Sequence, residues 1–570
     1  MTQHQAKRIV IIGGVAGGAS AAARARRLSE EAEIILFERG PYVSFANCGL
    51  PYHVGGVIAD RARLLVQTPQ SLETRFNLDV RVNTEVQSID PQARLLTVRN
   101  LKTGQLDQQP YDALVLSPGA EPLRPPIPGI ADRRIMTLRN MGDMDAVLAA
   151  MPGARSVLVI GGGYIGLEMA EAFRHRGLEV VLVEKLDQVM GVADPEMTAP
   201  LHQELARNGV DLRLGLSVDG FEPGPEGLVA LLSDGSKVAC QFALLAIGVR
   251  PETALARSCG LTLGSTGGIL VDEYMRTSDP HIWAVGDAVE VRDAVVDGPA
   301  LIPLAGPANR QGRIAADNIL GRASTYKGTQ GTAICKVFDL AFAMTGQTEK
   351  GLVRKGVAFH KIYVHPADHA TYYPGAHPLS LKLLFEPGEG RILGAQAVGA
   401  AGVDKRIDVI ATAMRGGLTV FDLEDAELCY APPFGSAKDA VNMAGFNASN
   451  VLRGDVALWE PEELSHLKPN QVLLDVRTLQ EFRNGTIPGA RLAPVDELRD
   501  RLEELDRGQE YLLFCQVGLR GYVAARLLAQ HGHQVRNLSG GYKRYQMGMG
   551  LGAPPLACET LLKDEESQPV

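Results

Sequence analysis

Two stretches of the chain share one pattern of apolar and small positions. RIVIIGGVAGGASAAARARRL, from Arg8, and SVLVIGGGYIGLEMAEAFRHRG, from Ser156, each pass from an unbroken apolar run through a glycine turn into a segment rich in small residues. Short continuous apolar runs bounded by turns predict strands buried on both faces, and the turn into a small-residue helix predicts βα units on a parallel sheet. In both copies the next strand closes on an acid. EIILFE ends at Glu38, 25 residues after Gly13, and EVVLVE ends at Glu184, 23 residues after Gly161. ALVLSPGA from Ala113, ALLAIGVRPET from Ala243 and TSDPHIWAVGDA from Thr277 add further strand-then-turn units.

Each copy is a complete dinucleotide fingerprint. The glycine turn brings backbone N–H groups and a helix N-terminus against a pyrophosphate, and the distal carboxylate takes the ribose hydroxyls. The second copy has the full pattern Gly161, Gly163, Gly166; the first has Gly13, Gly14 and Gly18 but Val15 in the middle position. Ser117, Gly119 and Gly248, from the later turns, join the candidate cofactor-binding residues, as do Gly286 and Asp287, where a flavin's ribityl-phosphate chain needs a hydrogen-bond partner.

Composition narrows the setting. At roughly 100–200 residues per domain, 570 residues make several compact units. A net charge of −9 argues against nucleic acid as a partner. No apolar run reaches the ~20 residues of a membrane span, so no membrane association is expected. Lys7 and Arg8 before IVIIGGVAGGASAAA mimic a signal peptide, but the glycines and the following Arg24, Arg26 and Arg27 read as strand, turn and helix. Seven irregularly spaced cysteines form no disulfide framework, which fits a reducing cytoplasm. No paired CxxC motif or histidine cluster points to a metal.

From about Arg8 to about Gly445 these motifs, in this order, resemble the pyridine nucleotide-disulfide oxidoreductases, flavoproteins with two dinucleotide folds. The resemblance implies FAD on the first fold and the Gly286–Asp287 motif, NAD(P)H on the second, and a homodimer formed by the third, C-terminal segment. Glu184 should favour NADH, since a carboxylate repels a 2′-phosphate. Dithiol members of the family carry a second cysteine shortly after the first, whereas Cys48 is followed by Gly49, Leu50, Pro51, Tyr52 and His53. A lone thiol beside a flavin cycles through a mixed disulfide or a sulfenic acid. The surrounding SFANCGLPY resembles the coenzyme A-disulfide reductase branch, which implies the mixed disulfide. Ser20, Arg24 and Arg27 share one helix face; the resemblance implies that they line a coenzyme A site with Ser44, Asn47 and Lys438, while Arg26 is read as solvated. It also implies that Tyr430 and Tyr372, with Tyr373 an alternative to Tyr372, protonate or stabilise a leaving thiolate.

After a polar, turn-rich stretch, QVLLDVRTLQEF, GTIPGA, YLLFCQVGLRGYVAARLLAQHG and QVRNLSGGYKRY resemble a rhodanese domain. Cys515 opens a loop before a helix, where consecutive N–H groups favour a thiolate and a persulfide, and Arg520 adds positive charge. Asp475 and Arg477 match that family's structural signature. Cys240, Cys259, Cys335, Cys429 and Cys558 are read as structural or incidental.

The expected fold is α/β: two Rossmann-like domains for FAD and NAD, an α+β dimerisation domain and a fused α/β rhodanese domain. The expected boundaries are 1–120 with 250–325 for FAD, 121–249 for NAD(P)H, 326–450 for dimerisation, 451–465 as linker, 466–556 for rhodanese and 557–570 as an acidic tail. The expected activity is NAD(P)H-dependent reduction of coenzyme A disulfide, persulfide or polysulfide. Cys48 and Cys515 are each expected in an activating environment. The rivals are an NADH oxidase or peroxidase with a cysteine sulfenic acid, and a sulfur-relay or redox-sensing protein without turnover.

Overall fold

The computed structural model describes residues 6–225 and 227–549. Cys558 and the acidic tail read at 557–570 lie outside the described residues. The chain forms two compact units: one comprises the chain up to Gly191 with Leu205–Phe338, the other Val192–Glu204 with the chain from Asp339.

The first unit runs β1 (Arg8–Ile12), α1 (Ala16–Leu28), β2 (Glu33–Glu38), α2 (Leu50–Val54) and β3 (Ala113–Leu116). It continues with β4 (Ser156–Ile160), α3 (Tyr164–His175), β5 (Glu179–Val183), β6 (Phe242–Leu245), β7 (Ile282–Ala284) and α4 (Ala305–Ile319). Two five-stranded sheets result, ordered β7-β3-β1-β2-Asp79–Val82 and Val210–Arg213-β5-β4-β6-Ile135–Met136. All their pairings are parallel, and the central strands are buried almost end to end, as apolar runs without alternation require.

Register places the turns. Ile12 is level with Phe37 and Leu116, and Leu116 with Ala284, so Gly13, Glu38, Ser117 and the Gly286–Asp287 turn leave the first sheet along one edge. Ile160 is level with Val183 and Leu245, so Gly161, Glu184 and the turn to Gly248 leave the second sheet in the same way. This carboxyl edge is where open parallel sheets bind ligands. The small residues of α1 and α3 admit close packing: a Cβ on Gly18 would fall on the carbonyl oxygen of Gly13, and one on Gly166 on that of Gly161.

The second unit runs β8 (Leu340–Gly346), β9 (His360–Val364), β10 (Leu379–Phe385), β11 (Ile392–Gly399), α5 (Val403–Gly416) and α6 (Ala440–Leu452). It closes with β12 (Leu458–Trp459), β13 (Gln471–Asp475), α7 (Leu479–Arg483), β14 (Glu510–Phe514), α8 (Leu519–Gln530), β15 (Gln534–Leu538) and α9 (Gly541–Met549). Strands β8, β11, β10 and β9 pair antiparallel in that order, and residues of α5 and α6 share their core. The last five strands form a parallel sheet ordered β12-β15-β14-β13-Arg491–Leu492.

Two expectations change. The stretch read as a linker begins as the end of α6 and contains β12, whose Trp459 is fully buried and donates to Leu513 O at 2.9 Å. Arg26 is no solvated residue; it is 4% exposed and donates to the carbonyls of Ser29, Glu30, Phe76 and Asn77 at 2.7–3.0 Å. A buried guanidinium persists only where its donors are met, and here four backbone carbonyls meet them. Among the described residues, no helix is long and apolar enough to cross a membrane.

Candidate active site

Both glycine turns open onto helices whose starts are left bare. Val15 and Gly163, the N-caps of α1 and α3, make no side-chain cap bond, and neither first turn holds an acid. Thr68, Asn140, Thr348 and Asp439 cap other helices by accepting from the first turn, while Leu304, Gly402 and Gly518 leave their helices without a side-chain cap as well. Two unpaired helix N-termini at the carboxyl edges of two parallel sheets are anion sites that suit pyrophosphates.

The distal acids are already aimed. Glu38 accepts from Gly14 N at 2.9 Å and Gly40 N at 2.7 Å, and Glu184 accepts from Gly162 N at 2.7 Å and Leu186 N at 2.8 Å. Each carboxylate keeps lone pairs for ribose hydroxyls. Gly163 and Gly119 have nothing within 4 Å of where a Cβ would stand, which leaves room for close approach of a ligand. Ser117 packs beside Gly13 and Gly17, and Gly286 N donates to Gln311 at 2.8 Å. The residues of both cradles therefore fit a dinucleotide each.

Cys48 lies in a single 3₁₀ turn, Asn47–Gly49, that runs into α2. Its loop is tied to the first cradle. Ser44, a non-glycine residue at φ 46°, donates its N–H to Gly14 O at 2.8 Å and accepts from Val66 N at 2.9 Å. The six cysteines among the described residues are all free, and Cys48 is exposed.

The expected activation of Cys48 is not met by the chain's own groups. Although its surface is accessible, the surrounding protein pushes the thiol up, and the charges of Glu168 and Asp287 push it further. Burial and neighbouring carboxylates thus disfavour the thiolate relative to the neutral thiol. Glu168, on α3, was invisible to motif reading because its partner comes from another element: Tyr52 donates to it at 3.3 Å across 116 residues. Burial lifts the Glu168 carboxyl to about 7, the bond from Tyr52 opposes this, and Glu171 adds to it. Burial also raises Asp287, against the pull of Arg139.

Of the residues proposed to meet coenzyme A, Ser20 and Arg24 face α4, bonded to Asn309 and Asp317 at 2.6 Å each. Arg27 is exposed, and Asn47 donates to Arg139 O at 3.4 Å. In the second unit Lys438 is exposed, 6.0 Å from the Phe446 ring centre.

Tyr372 and Tyr430, both exposed, bring their hydroxyls to 2.7 Å. Of the two tyrosines left open by sequence, Tyr372 makes this pair; Tyr373 lies against the His369 ring, 5.8 Å between centres.

Cys515 directly follows β14 and is buried; Gly518 N donates to its sulfur at 3.2 Å. Arg520 is not a free charge. Both its terminal nitrogens bond Glu481, at 2.6 and 2.7 Å, and this pairing holds the Glu481 carboxyl down at about 2. Glu481, on α7, escaped sequence reading because it belongs to no motif around the cysteine. Arg477, paired with buried Asp475 at 2.7 Å, donates to Gln516 at 3.0 Å, so the signature acts on the cysteine loop itself. From the other side, Tyr542 N donates to Cys515 O at 2.7 Å and Lys543 N to Gln516 O at 3.0 Å.

Two nucleotide cradles on parallel sheets, with a lone thiol tied to the first, define a class, and the comparisons agree with it. Residues 7–312 match the pyridine nucleotide-disulphide oxidoreductase family, 332–441 its dimerisation domain and 460–547 the rhodanese-like domain. The chain belongs to the pyridine nucleotide-disulphide oxidoreductase family and is an α/β oxidoreductase with a fused rhodanese-like domain. It is 37% identical over 444 residues to the coenzyme A disulfide reductase of Staphylococcus aureus strain JH9, covering 77% of this chain and 99% of that one. The crystal structure of reduced Bacillus anthracis CoADR-RHD superposes with a TM-score of 0.94 at 49% identity, covering 95% of this chain and 98% of that one. An NAD-dependent persulfide reductase from A. fulgidus superposes at 0.88 and 35% identity, over 94% of this chain and 100% of that one.

Proposed function

We propose that the chain is a homodimeric reductase that uses NADH and FAD to reduce coenzyme A disulfide and coenzyme A persulfide at Cys48, while its rhodanese module carries sulfane sulfur on Cys515. The observation that carries the reading is the Cys48 turn, with one free thiol and Ser44 bonded to Gly14 of the first cradle. The names of the S. aureus and A. fulgidus relatives support the two substrates. Free cysteines throughout the described chain support a reducing, cytoplasmic setting.

Gly13, Gly14, Gly18, Glu38, Ser117, Gly119, Gly286 and Asp287 would hold FAD; Gly161, Gly163, Gly166, Glu184 and Gly248 would hold the nicotinamide nucleotide. FAD, when bound, supplies the two-electron link between NADH and sulfur. The Cys48 thiolate attacks the sulfur attached to coenzyme A. From the disulfide, the S–S bond breaks, Cys48–S–S–CoA forms and a coenzyme A thiolate leaves; from the persulfide, the same mixed disulfide forms and HS⁻ leaves. Two electrons and two protons then return the Cys48 thiol and coenzyme A. The Tyr372–Tyr430 pair would donate to the departing thiolate. Ser20, Arg24, Arg27, Ser44, Asn47 and Lys438 would receive coenzyme A, with Arg24 sharing its guanidinium between Asp317 and a phosphate. Arg520, tied to Glu481, would steady rather than flood the Cys515 loop with charge. In this reading the domain boundaries drawn from the sequence stand except at the linker, where β12 is assigned to the rhodanese module.

The fused rhodanese-like domain and the tyrosine pair weigh against an NADH oxidase or peroxidase, and the second nucleotide cradle weighs against a relay without turnover. Cys48→Ser should abolish NADH-dependent reduction of coenzyme A disulfide and persulfide, yet still bind flavin that NADH bleaches anaerobically. Near-normal turnover in that variant removes Cys48 as the nucleophile.

A further inference from the structure

The turn that carries Tyr372 is closed by one histidine. Its neck, between β9 and β10, is laced by Leu379 N to Pro366 O at 2.9 Å, Asp368 N to His377 O at 2.9 Å and His377 N to Asp368 Oδ1 at 2.6 Å. Above the neck, His369 is 8% exposed while Tyr372 is 74% exposed. The His369 ring sits between Asp368 Oδ2, 2.8 Å from Nδ1, and Pro374 O, 3.3 Å from Nε2.

Both partners are acceptors: a carboxylate oxygen and the carbonyl of a residue with no N–H. A neutral imidazole carries one N–H and satisfies one of them; only the imidazolium donates to both. We propose that His369, as an imidazolium, is the positioning residue that pins the ends of the Asp368–Pro374 turn and so holds the Tyr372 hydroxyl on Tyr430. The proposal rests on the reading of that tyrosine pair as the proton donor.

The surroundings fit. Asp368 raises His369 through their hydrogen bond, and Pro374 O acts in the same direction. From α5, Arg406 donates to Asp368 O at 2.5 Å and pairs with Asp439 at 2.7 Å, and Lys405 lies 3.8 Å from Asp439, so the neighbouring cations are tied to a second carboxylate rather than aimed at the ring. Ala370 N donates to Gly435 O at 2.9 Å, which joins this turn to the segment that bears Tyr430. When the ring loses its proton, one end of the turn is released and the hydroxyl pair loses its fixed geometry.

The test uses the flavin-loaded full-length enzyme and coenzyme A disulfide. Wild-type kcat should fall as pH rises through the titration of His369, measured directly by NMR on ¹³C-labelled histidine. Asp368→Asn removes the charge and leaves one acceptor oxygen where the carboxylate uses two, for His377 N and the His369 ring, so both the NMR titration and the alkaline limb of kcat should move to lower pH together. His369→Gln should lower kcat by roughly tenfold with KM little changed. A neutral His369 ring at pH 7, or an Asp368→Asn variant whose NMR titration moves while its kcat limb stays, overturns the proposal. Tyr372→Phe separates the two layers: undiminished turnover there removes the tyrosine reading itself, whereas lost turnover with an unmoved limb in Asp368→Asn removes only the role of His369.

Discussion

Cys48 is the residue whose chemistry the rest of the first unit modulates, and Glu168 is its most informative neighbour. The Glu168 charge raises the Cys48 thiol by repelling the thiolate, and its own carboxyl, lifted to about 7, is protonated below that pH and charged above it. Removing the charge must therefore lower the Cys48 titration. Glu168→Gln should shift the pH dependence of Cys48 alkylation in the reduced holoenzyme to lower pH, and an unmoved profile would show that Glu168 does not reach the sulfur. Glu184 sets a second expectation. With two backbone N–H groups fixing its carboxylate, Glu184→Ala should narrow the ratio of kcat/KM for NADH over NADPH by roughly tenfold or more, the worth of a hydrogen bond to a charged group. An unchanged ratio means that it does not face the ribose. Glu184 was legible because strand, glycine turn and spacing announce it. Glu168 was not, since burial and a tyrosine 116 residues away create its function, and neither leaves a mark on a motif.

At the scale of elements, the repeated strand-turn-helix was readable because each part follows from local chemistry: apolar runs for two-sided burial, and small residues where a helix presses on a turn. The two glycines that follow Gly161 in the fingerprint serve different ends. Gly163 is extended at φ −79° with nothing within 4 Å of a Cβ, whereas a Cβ on Gly166 would overlap Gly161 O. Gly163→Ala should thus leave the melting temperature unchanged and raise KM for NADH about tenfold, the cost of roughly 1.4 kcal/mol of binding. Gly166→Ala should lower the melting temperature, since forced overpacking costs about 1–3 kcal/mol. Equal effects on both quantities in both variants would contradict this division. Arg26 and β12 were misread for the opposite reason. A helical arginine reads as solvated until four carbonyls from its own C-terminus and the Phe76–Asn77 turn surround it, and a strand of two residues is too short to show a period.

Across the second unit, the rhodanese module rests on the antiparallel sheet through a buried ionic hub. Tyr363 of β9 donates its N–H to Ser539 at 2.8 Å, its hydroxyl to Glu196 at 2.8 Å, and its ring receives Arg544 at 4.7 Å. Lys382, fully buried, fills the space between Asp194, Glu196 and Glu349 with contacts of 2.6–2.9 Å, so these carboxylates serve an ammonium rather than offering an empty metal site. Sequence showed a polar stretch before the module but not this hub, because its members come from distant segments and no motif links them. Removing one partner of a buried ion pair costs about 3–5 kcal/mol. A chain cut after Gly454 would strip Arg544 and Ser539 from Tyr363, so its loss of activity would report stability rather than chemistry. The point variant is the fair test of whether the two thiols act separately. Cys515→Ala removes a buried sulfur that Gly518 N caps and touches none of the hub. It should cut thiosulfate sulfurtransfer by roughly a hundredfold or more, while NADH-dependent reduction of preformed coenzyme A disulfide, which needs only Cys48, the cofactors and the tyrosines, stays within about twofold of the unmodified enzyme. If disulfide reduction collapses in this variant although it remains folded and flavin-loaded, sulfur must pass through Cys515 on every turnover, and the two thiols form one obligatory relay.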